Sequence, residues 1–292
     1  MSKAVLPTIV FCMSLCFFVF PQTSFSQDTL VWMEAVLPPF FIQSGPNKEH
    51  GYGDAITDLL QQHLPEYNHE EINTNITRHF YMFKQGENVC SVGLYKTPER
   101  QEFMYFSMPS FITLPPVIII NKDNWKKFGQ KKIVSLAGVL AKESMMIGLA
   151  KDRSYGNTLD DVLKAHEGQA NLVAFTGQEL SRNLFKMLLL GRLDGLIGLP
   201  EEALFMAEQM GIRDQFITLT LQENLHNFDG WMSCVACAKT PWGKKVIERV
   251  NKVLLDERPS KLYQAAYERW LDPNSIAEYR QAYRKIFLEA KN

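Results

Sequence analysis

The sequence predicts an α/β protein built from two sheet-and-helix modules, the second inserted into the first. Two observations carry this expectation. Short apolar runs bounded by Gly or Pro alternate with amphipathic segments along most of the chain, the pattern of strands covered by helices. The alternation occurs twice, and a late apolar run, "WMSCVACAK", follows the second round without a place in it.

The elements follow in order. "TLVWMEAV" alternates and is rich in β-formers, so it is expected to be a strand, stopped by Pro38 and Pro39. Phe40 and Phe41 are then left in a loop. Gly51 and Gly53 bracket a turn, and a helix is expected from Asp54, with Ile56, Leu59, Leu60 and Leu64 on one face. "ITRHFYMF" fits helix or strand. "NVCSVGLY" reads as a buried strand, and an aromatic-rich strand follows the turn "KTPER". "PPVIIINKDNW" and "IVSLAGVLA" both read as strands. Helices are expected near residues 144–151 and 159–166, then the strand "NLVAFT", a helix over 178–190, the strand "DGLIGL" and a helix over 201–210. "FITLTLQE" closes the second module. Three amphipathic helices end the chain, over 242–255, 260–270 and 275–287, the last opened by a capping box, Ser275 with Glu278.

Composition bounds the function. The chain has 292 residues, 46% of them hydrophobic, and a formal net charge of -1. That is enough material for one large or two middling domains. A charge near zero argues against nucleic acid as a partner, because phosphate binding needs a concentrated basic surface. The N-terminus carries one Lys, an apolar run over residues 4–20, and small residues at Ser24 and Ser26. This is the layout of a secretory signal peptide, residues 1–26, and places the mature protein in the periplasm. Pro7, the shortness of the run and the small-x-small site argue against a membrane anchor, and bulky Leu15 before Cys16 argues against a lipoprotein site.

Export leaves Cys90, Cys234 and Cys237 in the mature chain. A redox CxxC wants its first cysteine at a helix N-terminus, whereas "CVAC" sits in an apolar, strand-like run. One of its two cysteines is therefore expected to pair with Cys90 and the other to be a buried thiol. Enzyme signatures are missing. There is no GxSxG or HExxH, the six histidines have no metal-ligand spacing, and acidic pairs such as Glu201 and Glu202 are adjacent rather than facing. No enzyme, metal or cofactor is expected. Two α/β modules facing each other make a ligand cleft that closes by a hinge, since ligands of such sheets bind beyond the carboxyl ends of strands.

Four segments, in order, carry a family resemblance. "VGLYKTPERQEFMYFSMP" resembles the pattern GxTxTxxRxxxxxFSxP of the bacterial extracellular solute-binding proteins of family 3, the polar amino-acid binders. "LPPFFIQSGPNKEHGYGDAITDLL" is similar to that family's opening, "GRLDGLIGLPEEALFMAEQMG" to its second-lobe segment, and "VACAKTPWGKKVIERVNKVL" to its return strand and helix. The resemblance implies a two-lobed type II periplasmic binding protein with a hinge and an interlobe cleft. Lobe one would comprise residues 27–114 and 222–292, and lobe two residues 115–221. It also implies a monomer that captures a small-molecule ligand for an inner-membrane transporter permease or, alternatively, reports to a membrane sensor.

In that family the arginine after the turn clamps a ligand carboxylate, a role that falls here on Arg100. An arginine on a strand-end turn beside Thr97 is also physically an anion trap, and Lys96 adds a second charge. Phe40, Phe41, Tyr52 and Tyr95 lie on loops at strand ends and are expected in the cleft wall, with Trp231 near the second crossover. Arg78 is the next cation. The sequence departs from the family at three points. Tyr95 and Lys96 replace a small hydroxyl residue, and Leu199 and Pro200, followed by Glu201 and Glu202, replace an aspartate. Lys142, Glu143 and Ser144 align with a Gly-Thr-Thr segment. With the return strand placed beside the strand of Cys90, the disulfide is expected between Cys90 and Cys237, with Cys234 as the alternative partner.

Overall fold

The computed structural model describes residues 27–177, 179–225 and 231–290. The expected signal peptide, residues 1–26, lies outside them. Two sheets are present, of order β2-β1-β3-β11-β4 and β6-β10-β5-β9-β7-β8. The first combines β1 (Thr29–Glu34), β2 (Asn68–Asn73), β3 (Val89–Leu94), β4 (Met104–Ile112) and β11 (Met232–Ala238). The second combines β5 (Val117–Asn121), β6 (Ile133–Val134), β7 (Ile147–Ala150), β8 (Leu172–Phe175), β9 (Gly195–Gly198) and β10 (Phe216–Leu221). Each has a parallel core, β2-β1-β3 and β8-β7-β9, whose inner edge pairs antiparallel with a strand that follows or precedes a crossover. The fold is the two-lobed α/β architecture expected from the sequence, with one sheet in each lobe.

The helices cover the sheets as their apolar stripes require. α1 (Tyr52–His63) and the C-terminal helices α7 (Pro241–Glu257), α8 (Lys261–Glu268) and α9 (Ile276–Ala282) pack with the first sheet into one core that includes Trp32, Leu60, Val250 and Phe287. α2 (Ile76–Gln85) covers its other face through Met82 and Phe83. In lobe two, α3 (Leu136–Leu140) and α4 (Asn157–Ala165) lie on one face, and α5 (Leu180–Leu189) and α6 (Pro200–Gln209) on the other. The chain passes between lobes twice, after β4 and after β10. The two passages are tied where Thr113 N–H donates to the Trp231 carbonyl (2.9 Å) and Asn224 Nδ2 to the Pro116 carbonyl (2.7 Å).

Four local expectations are corrected. "IVSLAGVLA" is a two-residue strand followed by α3, because the Ser135 side chain accepts from Gly138 N–H and starts a helix. Residues 144–151 hold strand β7 instead of a helix. β2 was not foreseen: its "NHEEIN" is a polar edge strand, mostly exposed, paired only with β1. The capping box at Ser275 does not form. Ser275 is already helical in φ and ψ, and its hydroxyl donates to Asp272. The disulfide joins Cys90 to Cys237, directly opposed on β3 and β11, and Cys234 is a buried free thiol.

Candidate functional site

The strand ends that converge between the lobes form a small cavity of about 80 Å³. Its lining comes from the carboxyl ends of β1 (Ala35, Leu37), β3 (Gly93, Tyr95), β7 (Arg153, Ser154) and β9 (Leu199, Glu202). This is where open α/β sheets hold ligands. The volume admits several waters, or a ligand fragment of a few non-hydrogen atoms.

The lobe-one wall is aromatic. The Phe40 ring lies 4.4 Å from Phe41, 4.9 Å from Tyr52 and 5.6 Å from Phe111, centroid to centroid. The tip of its ring also points at Gly93, where a Cβ would come within 2.1 Å of Cζ. Gly93 has φ +79°, so only glycine ends β3 this way without strain. Gly53 gives the same ring its other seat, with a Cβ position 2.8 Å from it.

Arg100 sits on the turn after β3 but is not a surface residue. It is 8% exposed. Its backbone N–H donates to Thr97 Oγ1 (3.3 Å), and its guanidinium donates to the carbonyl of Tyr95 (3.0 Å) and, across the lobes, to that of Asp152 (3.1 Å). Its Cζ lies 4.7 Å over the Phe80 ring. Burial pushes its pKa down, and the nearby Asp160 carboxylate opposes that. Asp152 also accepts from Thr77 of lobe one, so this loop is bound to both sides of the arginine.

The lobe-two wall carries a charge pair. Arg153 contacts both carboxylate oxygens of Glu202, at 2.8 and 3.1 Å, with both side chains largely buried. Burial disfavours the Arg153 charge, but the Glu202 carboxylate more than offsets this and holds its pKa above the ordinary range. Glu202 also accepts from Leu199 N–H (2.9 Å), which fixes it on the first turn of α6. The Arg153 loop is rigid. Tyr155 Oη accepts from Ala150 N–H (2.9 Å), while the Asp160 carboxylate accepts from Tyr155 N–H (2.8 Å) and the Ser154 hydroxyl.

Of the residues expected from the sequence, Arg100, Phe40, Phe41, Tyr52 and Tyr95 line this cavity. The rest lie elsewhere. Thr97 caps the turn of Arg100, and Lys96 is exposed. Arg78 is exposed on α2, over the Tyr81 ring. Lys142 and Ser144 are exposed in the turn entering β7, at the amino end of that strand, opposite the cavity. Trp231 is buried in the lobe-one core. Glu201 is buried behind the cavity wall, held by two tyrosine hydroxyls. The residues missed are Arg153 and Ser154 in lobe two, and Glu202, which the sequence reading placed late. Their signal is a short loop between β7 and α4, visible only once β7 is read as a strand.

The fold is that of substrate-binding proteins. The structure is similar to an ancestral arginine-binding protein bound to arginine (20% identity, 85% of this chain and 99% of that chain, TM-score 0.65). It is also similar to an amino acid ABC transporter substrate-binding protein from Streptococcus pneumoniae bound to L-arginine (20%, 84% and 93%, TM-score 0.64). A third similar structure is a histidine kinase sensor domain with similarity to periplasmic binding proteins (15%, 84% and 96%, TM-score 0.63). No protein-family model matches the sequence. No curated protein matches it in sequence.

Proposed function

We propose that the protein is an exported solute-binding protein that captures a small polar, carboxylate-bearing ligand between its lobes and delivers it to a membrane transporter. The observation that carries this reading is the cavity itself. It lies between the lobes, at the carboxyl ends of four strands, and is walled by residues of both. A ligand there is enclosed by closure and released by opening. Lobe one is taken as residues 27–114 and 222–292, lobe two as 115–221, and residues 1–26 as the export signal. Arg100 and Arg153 supply the cationic donors for a carboxylate, Glu202 the acceptor for an ammonium or hydroxyl, and Phe40 and Tyr52 the apolar floor. The amino-acid ligands of the similar structures agree with such a set.

A sensing role uses the same cleft, and the similar kinase sensor domain favours it as the second reading. The test is a thermal-shift screen of the protein against amino acids, small carboxylic acids, amines, short peptides and sugars. A ligand at about a hundred times its Kd raises apparent stability by about 2.7 kcal/mol. A carboxylate-bearing compound is expected to give the largest shift, and a screen in which only neutral sugars or amines stabilise would overturn the carboxylate reading. Neighbouring genes for a permease or for a kinase distinguish transport from sensing.

A further inference from the structure

Glu201 is the most buried carboxylate at the seam and takes no part in the cavity. It is 1% exposed and belongs to α6 of lobe two, but both its side-chain partners come from lobe one. Tyr52 Oη, on α1, is 3.0 Å from Oε1, and Tyr267 Oη, on α8, is 2.9 Å from Oε2. Tyr52 faces the ligand cavity, while Glu201 borders a groove of about 690 Å³ on the other side of the seam, closed below by Trp270 and Leu271. We propose that Glu201, Tyr52 and Tyr267 form a proton-linked latch, so that closing the lobes loads one proton onto Glu201 and opening them releases it.

A buried carboxylate stays ionised when a cation or several donors face it. Here the facing groups are two phenols, from α1 and α8, its own backbone N–H, the Tyr95 phenol after β3, and Glu202 on its own helix, whose charge repels it. The neighbouring cation, Arg153, is bound to Glu202. On the groove side stand Lys122, Lys132, Arg213 and Asp272. Arg213 pairs with Glu208, and Asp272 accepts from Ser275 and Asn274. Among the described residues no cation lies within ion-pair distance of Glu201.

The two phenols accommodate either protonation state of the carboxyl, and it is burial without a facing cation, beside Glu202, that favours the protonated one. Tyr267 Oη already accepts from Leu114 N–H (2.9 Å), which leaves its hydrogen for Oε2. Tyr52 Oη donates to Oε1 when the carboxyl is ionised, and its lone pairs can accept the proton on Oε1 when the carboxyl is protonated. Burial, with the Glu202 charge adding to it, pushes Glu201 up to about 8. Opening the lobes strips away both tyrosines and returns Glu201 to water, where a glutamate titrates near about 4.3. Because the closed-state value is the raised one, the latch is fully engaged below the open-state value and is lost as pH rises through about 8. Between those limits the closed-to-open ratio falls about tenfold per pH unit.

The inference concerns lobe closure and holds whichever ligand the cleft takes, so its failure and that of the binding role are separable. The experiment is small-angle X-ray scattering of the protein without added ligand, from about pH 5.5 to about pH 9.5, beside a Glu201→Gln variant. A glutamine keeps a donor and an acceptor for the two tyrosines without a titrating proton. The expected result is a wild-type radius of gyration that grows with pH and a variant that stays compact throughout. A wild-type radius independent of pH, or a variant that follows the wild-type curve, overturns the latch. Should the variant not fold, infrared spectra of the wild type replace it. A protonated-carboxyl band that disappears with the same midpoint as the expansion supports the proposal, and the lack of such a band overturns it.

Discussion

The two walls of the interlobe cavity meet the same space with different physics. Lobe one offers a packed cluster of rings around Phe40, and its strands β3 and β11 are joined by the Cys90–Cys237 disulfide. Lobe two offers a loop and a helix start held by an ion pair, Arg153 with Glu202, and the second sheet carries no cysteine. The two arginines differ accordingly. Arg100 is desolvated and donates to neutral carbonyls, one of them in the other lobe. Arg153 stays in its own lobe against a full negative charge. Ring packing fixes shape and does not respond to a ligand's charge. An ion pair in a dry cavity does respond, because an incoming carboxylate or ammonium competes directly with one partner. The lobe-one wall is therefore the template and the lobe-two wall the responsive side.

Breaking the template should cost most. Replacing Cys90 and Cys237 together by alanine frees a loop of sequence separation 147. The chain-entropy model gives about 5 kcal/mol for its closure. Urea unfolding should show that loss, and a loss below about 1 kcal/mol would mean that lobe one does not depend on the bond.

The lobe-two wall comes next. Arg153→Met leaves Glu202 buried without its cation and is expected to destabilise by about 3–5 kcal/mol, while adding Glu202→Gln in the same chain should recover most of this. The double-mutant cycle measures the coupling directly. Additive losses would show that the pair is not the element that holds this wall.

Arg100→Ala is the smallest of the three changes to the fold and the one that most sharpens the contrast. A surface arginine would leave folding nearly untouched. Buried between two carbonyls, Arg100 should instead contribute about 2–3 kcal/mol: its two charge-assisted bonds are worth about 1.5–3 kcal/mol each, and desolvation of the guanidinium offsets part of that. Ligand affinity should fall between tenfold and several hundredfold. Calorimetric titration of the ligand found by screening reads the second effect, and denaturation reads the first. Unchanged affinity in a destabilised variant would make Arg100 a bridge between lobes and nothing more.

The sequence was most legible where apolar runs are long and buried. β1, β3, β5, β9 and β11 stand out because both faces are covered, and α7 stands out through its apolar stripe. The polar β2 was hidden because an edge strand held by backbone bonds needs no apolar pattern. The pair α3 and β7 was inverted. Ser135 as an N-cap outweighs the β-like content of "IVSLAGVLA", and β7 gains its extended form from two flanking strands that no local pattern reveals. The lobe-two part of the candidate site was misplaced as well. Lys142 and Ser144 are expected at the cleft through their alignment with the family's Gly-Thr-Thr segment, but they stand before β7, and the loop that reaches the cavity comes after it, at Arg153. The lobe-one residues escaped this error because β1 and β3 were read as strands and their carboxyl ends followed.

The Cys90–Cys237 bond has a topological consequence. Every strand of the second sheet lies between the two cysteines, so the whole of lobe two is a covalently closed ring hung on lobe one. A pull applied to the two chain ends passes from β3 to β11 through the sulfurs and never loads lobe two. A single protease nick anywhere in that ring leaves one covalent molecule, which should run as two fragments only after reduction. Lobe two can lose its structure and regain it while Cys90 and Cys237, which close the ring within lobe one, stay about 4 Å apart at the Cα atoms.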